Sequence, residues 1–87
     1  MATVIIPLVL RQFCDGLERI EVPGRTLRQV FEGVGREYPA LRDQVIEGGD
    51  IRPGLNIAVD SDLASDGLLQ AVEDDSEVLI LPAIGGG

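Results

Sequence analysis

Residues 3–10, TVIIPLVL, form a β-branched apolar run of strand length in which Val4, Ile6, Leu8 and Leu10 alternate with Ile5 and Val9. This pattern predicts a strand covered on both faces, with Pro7, which lacks a ladder donor, facing a gap in the pairing. Gln12 to Gly16 reads as a turn whose strongest element is Asp15-Gly16. LERIEV at 17–22 continues as a second strand, Ile20 and Val22 inward, Arg19 and Glu21 outward, and Pro23-Gly24 ends it. Thr26 followed three residues later by Gln29 is a capping box. Behind it Leu27, Val30, Phe31, Val34 and Tyr38 make one apolar stripe, with Arg28, Glu32, Arg36 and Glu37 on the solvent side. Gly33 and Gly35 each cost this helix about 1 kcal/mol relative to Ala, so packing must hold it. Pro39 ends it, and a short second turn of helix is expected from Ala40 to Ile46.

EGGDIRPG at 47–54 has the composition of a loop. Leu55, Ile57 and Val59 then alternate with Asn56, Ala58 and Asp60 as a half-buried strand. Leu63, Leu68, Leu69 and Val72 are expected to plug the end of the sheet around an Asp66-Gly67 turn, and EDDSE at 73–77 reads as a solvated acidic turn. VLIL at 78–81 is the last strand and the most hydrophobic. Two strands, a capped helix and two more strands make an α+β roll. If the last strand lies parallel beside the first, both find cover, which is the β-grasp, or ubiquitin-like, fold: a mixed sheet with one main helix across one face. The expected division is a β-grasp domain over 1–82 and a flexible tail over 83–87.

Composition then removes most kinds of chemistry. With no histidine among the 87 residues, neither a His general base nor a His-ligated metal is available. Cys14, the one cysteine, cannot close an internal disulfide or build a cysteine zinc site. All seven basic residues are arginine, so there is no Schiff-base lysine, no P-loop and no side-chain amine to accept an isopeptide bond. A net charge of −8 with no basic run repels phosphate backbones, which argues against nucleic acid and for a partner with a basic surface. Neither a signal-peptide pattern nor an apolar run of membrane-spanning length is present, so the expected setting is the cytosol, without a membrane. Cys14 reads as a spectator thiol at a turn, and the EDDSE carboxylates lack calcium-loop spacing.

The distinctive segment follows the last strand: Pro82-Ala83-Ile84-Gly85-Gly86-Gly87. With glycine at 11 of 87 positions, three in a row at a chosen place has a chance probability of about 0.002. Residues without Cβ can thread a narrow channel and adopt any φ/ψ an enzyme demands, while Pro82 stiffens the exit from the sheet. A terminal carboxylate, ionised above a pH of about 3.5, must be activated before it can donate an acyl group. The expected division of labour is a small domain for recognition and a tail for chemistry.

VLIL followed by Pro82-Ala83-Ile84 and Gly86-Gly87 resembles the ThiS/MoaD sulfur carriers. The resemblance extends to Ile6-Pro7 with Leu10-Arg11, to Gly24 with Thr26-Leu27 at the helix entry, to Asn56, and to Asp74 with Val78. Asp75 stands where many members have glycine, and Gly85 where Ala, Ser or Thr is commoner. The resemblance implies that Gly87 is adenylated by a ubiquitin-activating-type enzyme and converted to a thiocarboxylate. It implies that Ile84, Gly85 and Gly86 thread into the partner's active site. ATP and the sulfur donor would belong to the activating enzyme, the chain itself carrying no cofactor and acting as a co-substrate rather than an enzyme. The second implied partner is a sulfur-acceptor enzyme, either cysteine-synthase-like or the large subunit of molybdopterin synthase. The run Val4 to Arg11 looks closer to carriers serving cysteine synthesis or siderophore-type metabolites than to the aromatic-rich first strand of molybdopterin-synthase small subunits. The alternatives are a ubiquitin-like modifier joined through Gly87 to lysines of target proteins, the small subunit of molybdopterin synthase, and a plain interaction module indifferent to loss of Gly86-Gly87.

Overall fold

The first strand, β1 (Ala2–Ile5), stops where Pro7 comes near. A computed structural model of the chain describes residues 1–82. β1 pairs antiparallel with β2 (Arg19–Val22), from Ala2 opposite Val22 to Ile5 opposite Arg19. The strand expected to run to Leu10 therefore ends at Ile5. Pro7 does not sit in a gap of the ladder; its carbonyl accepts from the Leu10 N–H at 2.9 Å and opens a 3-10 turn over Leu8–Phe13. Leu10 stays buried, but Leu8 and Val9 are 75% and 61% exposed, correcting the expectation that they lie in a strand covered on both sides. Asp15 and Gly16 close the connection, both with left-handed φ, at 59° and 80°. Ile20 and Val22 point inward and Arg19 and Glu21 outward, as the alternation predicts.

The Thr26 side chain caps α1 (Leu27–Glu37), its Oγ1 accepting from the Gln29 N–H at 3.3 Å. The returning arm of the capping box reaches one residue further back, Gln29 Oε1 accepting from the Arg25 N–H at 2.8 Å. Leu27, Val30, Phe31 and Val34 are buried and Tyr38 half-buried. Tyr38 ends α1 and precedes α2 (Pro39–Val45), where Pro39 falls in the first turn and needs no N–H. Two glycines are close-approach positions. A Cβ on Gly24 would lie 2.9 Å from Val30 N, and one on Gly35 would overlap the Arg42 side chain that crosses it. Packing of α2 against α1 thus accounts for a helix glycine that propensity disfavours.

The segment expected as a loop contains a small hairpin. β3 (Ile46–Glu47) and β4 (Asp50–Ile51) pair around Gly48-Gly49, whose φ values of 62° and 81° suit a tight turn. β5 (Leu55–Val59) turns at Asp60-Ser61, φ 50° and 74°, into β6 (Asp62–Leu63). The sequence pattern does not predict β6, because its two residues are too few to show a period. A 3-10 turn over Gly67–Leu69 follows, and β7 (Glu77–Pro82) closes the sheet. Leu63 and Leu69 are 64% and 73% exposed, so they do not plug the sheet; Val72 is buried and Leu68 packs partly against the core.

The five-stranded sheet runs β2-β1-β7-β5-β6, with β1 parallel to β7 and the other pairs antiparallel. Its inner face, with Val4, Ile20, Val22, Ile57, Val59, Val78 and Ile80, packs with the buried sides of α1 and α2 in a single core. This is the β-grasp architecture that the element order implies.

Candidate functional site

Because β1 and β7 are parallel, the connection that follows β1 and the end of β7 lie at the same end of the sheet. There Pro82 sits opposite Leu55, and Leu10, Leu55 and Pro82 border a shallow groove rimmed by Gln44 and Arg52. Arg52 Nη1 donates to Gln44 Oε1 at 3.5 Å, and Arg52 Nε lies 3.8 Å from a Glu47 carboxylate oxygen. Both contacts are exposed and long, so they contribute little stability. The sequence-predicted site residues Ile84, Gly85, Gly86 and Gly87 lie outside the described residues. The structure thus places the point from which the tail departs.

The outer face of the sheet can be read from its register. Arg19, Ile5, Leu79, Ala58 and Leu63 stand in one row across all five strands, and Leu81 opposite Asn56 continues it toward Pro82. Ile5, Leu79 and Leu81 are half-buried, Ala58 is buried and Leu63 is open. Strand periodicity puts these residues on the face opposite the helices. The result is an apolar band leading to the tail, the kind of surface that marks a protein contact. The row nearer the start of β7 is different, with Glu21, Thr3 and Glu77 side by side. Seven of the fifteen acidic side chains (Asp60, Asp62, Asp66, Glu73, Asp74, Asp75 and Glu77) fall in residues 55–82, which hold no arginine.

At this acidic end one buried polar group organises its neighbours. Ser76 is 2% exposed; its hydroxyl accepts from the Glu73 N–H at 2.9 Å and donates to Asp60 Oδ2 at 2.7 Å. Asp60 Oδ1 accepts from the Glu77 N–H at 2.9 Å, and the Asp60 N–H donates to the Glu77 carbonyl at 2.9 Å. The Glu77 N–H, with the Ser76 hydroxyl second, holds the Asp60 carboxyl below its ordinary value. The EDDSE segment is therefore an acidic turn with one buried member, which composition alone does not disclose.

Cys14 has no exposed surface, and its Sγ lies 3.5 Å from the Leu17 carbonyl oxygen. Burial pushes its thiol above the ordinary value, so its thiolate fraction at neutral pH is small. A cleft of about 130 Å³ on the helical side is bordered by Arg28, Phe31, Arg42 and Ile46. Among the described residues no group of three or more His, Cys, Asp or Glu is placed to hold a metal, and no helix is long and apolar enough to cross a membrane. The last strand and its exit are legible in the sequence but the five-strand row is not, since register between distant strands is not visible in a single sequence. The alternation of Leu79 and Leu81 against Val78 and Ile80 was the available sign of two apolar faces.

Comparison with known proteins places the chain among relatives of full length. The sequence model of the ThiS family matches residues 5–87. Sulfur carrier protein CysO of Mycobacterium tuberculosis (strain ATCC 25618 / H37Rv) is 33% identical over 90 residues, covering 98% of this chain and 97% of the relative. The crystal structure of an Amycolatopsis orientalis BexX/CysO complex contains a chain that superposes with a TM-score of 0.94 at 27% identity, covering 100% of both chains. The solution structure of small archaeal modifier protein 1 from Methanosarcina acetivorans superposes with a TM-score of 0.85 at 25% identity, covering 99% of this chain and 95% of that one.

Proposed function

The chain belongs to the ThiS family, and on that premise we propose that it is a sulfur carrier whose Gly87 is activated and loaded by a partner enzyme. The observation that carries this reading is the family match running through residue 87, together with a relative of nearly equal length that is itself a sulfur carrier. In the proposed cycle the Gly87 carboxylate attacks the α-phosphate of ATP, forming an acyl-adenylate and releasing pyrophosphate. The outer sulfur of a persulfide donor then displaces AMP to form an acyl disulfide, and a thiol of the donor system cleaves its S–S bond, leaving a thiocarboxylate at Gly87 and a disulfide on the donor. Sulfur carries that charge at a lower pKa than an ordinary thiol and is the better nucleophile toward the acceptor. The chain is a co-substrate, consumed and regenerated in the cytosol; ATP and the sulfur donor bind to the activating enzyme.

Residues 83–87 carry this chemistry, with Ile84, Gly85 and Gly86 entering the partner's active site. The outer apolar band, centred on Ile5, Leu79 and Ala58 and reaching Leu63, is the docking face for the activating enzyme. Support comes from its position, since the band ends where β7 hands the chain to the tail. The A. orientalis complex supports the further point that a carrier of this fold assembles with a second protein. The acceptor is proposed to be of cysteine-synthase type, in keeping with the CysO relative and the Val4–Arg11 run.

The likeness to an archaeal modifier protein favours one second reading, attachment through Gly87 to lysines of other proteins. Purification of the chain from its own cells, without reductant or added amine, separates the two. The carrier reading expects free chain with sulfur in place of one oxygen at Gly87. Higher-mass species bearing Gly87–lysine bonds, with no thiocarboxylate, would replace it with the modifier.

A further inference from the structure

An activated carboxyl at Gly87 is a hazard to any nucleophile near it, including those of the chain that bears it. The nucleophiles within these 87 residues are unusually few: there is no lysine and no histidine. Tyr38 is the lone phenol, and loss of solvation pushes it further from its reactive anion. The Met1 α-amine precedes β1, at the end of the sheet where β7 begins; at the end where β7 leaves, the remaining strong nucleophile is the thiol of Cys14. Cys14 ends the 3-10 turn that follows β1, at the same end of the sheet from which β7 releases the tail. On the same connection Leu8, Val9 and Leu17 are 75%, 61% and 40% exposed, whereas Cys14 has no exposed surface. Cys14 is covered together with Ile6 and Leu10, while Leu8, Val9 and Leu17 stand in solvent around it.

We propose that the fold makes the chain inert toward its own activated tail, by sealing Cys14 in the core at the tail's end of the sheet in a sequence that offers no other side-chain amine, imidazole or thiol. This rests on the reading of Gly87 as an acyl donor. The reaction prevented is acyl transfer to sulfur: the Cys14 thiolate would attack the Gly87 carbonyl carbon, a C–S bond would form, and the leaving group, AMP or a thiolate, would depart with the electron pair. The proton lost from the attacking thiol would pass through solvent. Such a thioester would divert the sulfur-accepting carbonyl into dead-end rings or dimers. An inert body makes every productive transfer one to a partner, and it limits any side-chain conjugation by this chain to single copies rather than chains of itself.

The test needs no activating enzyme. Intein cleavage with 2-mercaptoethanesulfonate produces the full chain as a Gly87 thioester, and mass spectrometry follows exchange onto internal sulfur as loss of the small thiol, in rings or dimers. In native buffer the unsubstituted chain should form no thioester with its own sulfur. Val9→Cys, which places an exposed thiol on the same connection, should form internal or dimeric thioesters about tenfold faster or more, the protection expected of a group reached only by local opening. In urea the unsubstituted chain should begin to exchange through Cys14, and Cys14→Ser should not. Native exchange at Cys14 as fast as in Val9→Cys would overturn the proposal. So would a Val9→Cys chain as unreactive as the original, since burial would then not be what protects. Because the thioester is made chemically, either result is independent of whether cells load sulfur onto Gly87, and absence of a cellular thiocarboxylate would count against the carrier reading alone.

Discussion

The two ends of the one sheet are built in opposite ways. At the end where β7 begins, polar groups are satisfied within the chain: Ser76, Asp60, Glu73 and Glu77 bond one another, and acidic side chains surround them. At the end where β7 leaves, apolar side chains stand open at Leu8 and Val9, the groove beside Pro82 is shallow, and the outer band runs up to the exit. Internal satisfaction stabilises the fold and asks nothing of a partner. Exposed apolar surface beside the strand's exit contributes little to the fold and is of the kind that marks a protein contact. On the proposed reading stability and function are separated along about one strand length, and substitutions at the two ends should separate them too.

The largest effect is expected at the tail. Removing Gly87, or adding one residue after it, should abolish activation in an ATP–pyrophosphate exchange assay while leaving the melting curve nearly unchanged. A sharp fall in melting temperature would make the tail structural and erase the contrast. Next comes the outer band: Leu63→Asp, at a position already 64% exposed, should lower kcat/KM for the activating enzyme by about tenfold or more, as loss of an interface anchor of above 1 kcal/mol does, with little change in melting. At the acidic end the expectation reverses. Ser76→Ala removes two hydrogen bonds from a buried site and should cost about 1 kcal/mol or somewhat more, a shift of roughly 4–8 °C in Tm for a domain of this size, with activation unchanged. The smallest effect is in pH dependence. Folding lowers the Asp60 pKa below its unfolded value of 3.8. Its contribution is therefore complete above that value and is lost as pH falls below about 4 toward the folded pKa. Asp60→Asn, which tolerates the left-handed φ of 50°, should show a shallower loss of stability in acid titrations followed by circular dichroism.

The elements with long period signals are legible in the sequence. The α1 stripe and its Thr26 cap, the inward pair Ile20 and Val22, and the final strand all stand where their patterns put them. What failed did so for local physical reasons. Pro7 cut the first strand because its carbonyl found a 3-10 partner in Leu10 and the ladder had no donor to use, so Leu8 and Val9 left the sheet. Gly48-Gly49 and Asp60-Ser61 make hairpins that bring in the two-residue strands β3, β4 and β6, which carry too few positions to show alternation. The Ser76–Asp60 bond joins residues 16 apart, and the row from Arg19 to Leu63 joins five strands; both depend on tertiary register that no local spacing encodes. The proposed tail chemistry is read from the run of glycines after Pro82, which lies outside the residues the structure describes.

The measurement that tests the central claim most directly is the intact mass of the chain after incubation with a lysate fraction of its own cells, ATP and sulfide. If the tail is the reacting group and the fold its handle, the mass rises by the replacement of one oxygen with sulfur. Fragmentation then places the change at Gly87, equally in the original chain and in Ser76→Ala. A chain that stays unmodified while a known sulfur carrier added to the same mixture is converted would contradict it.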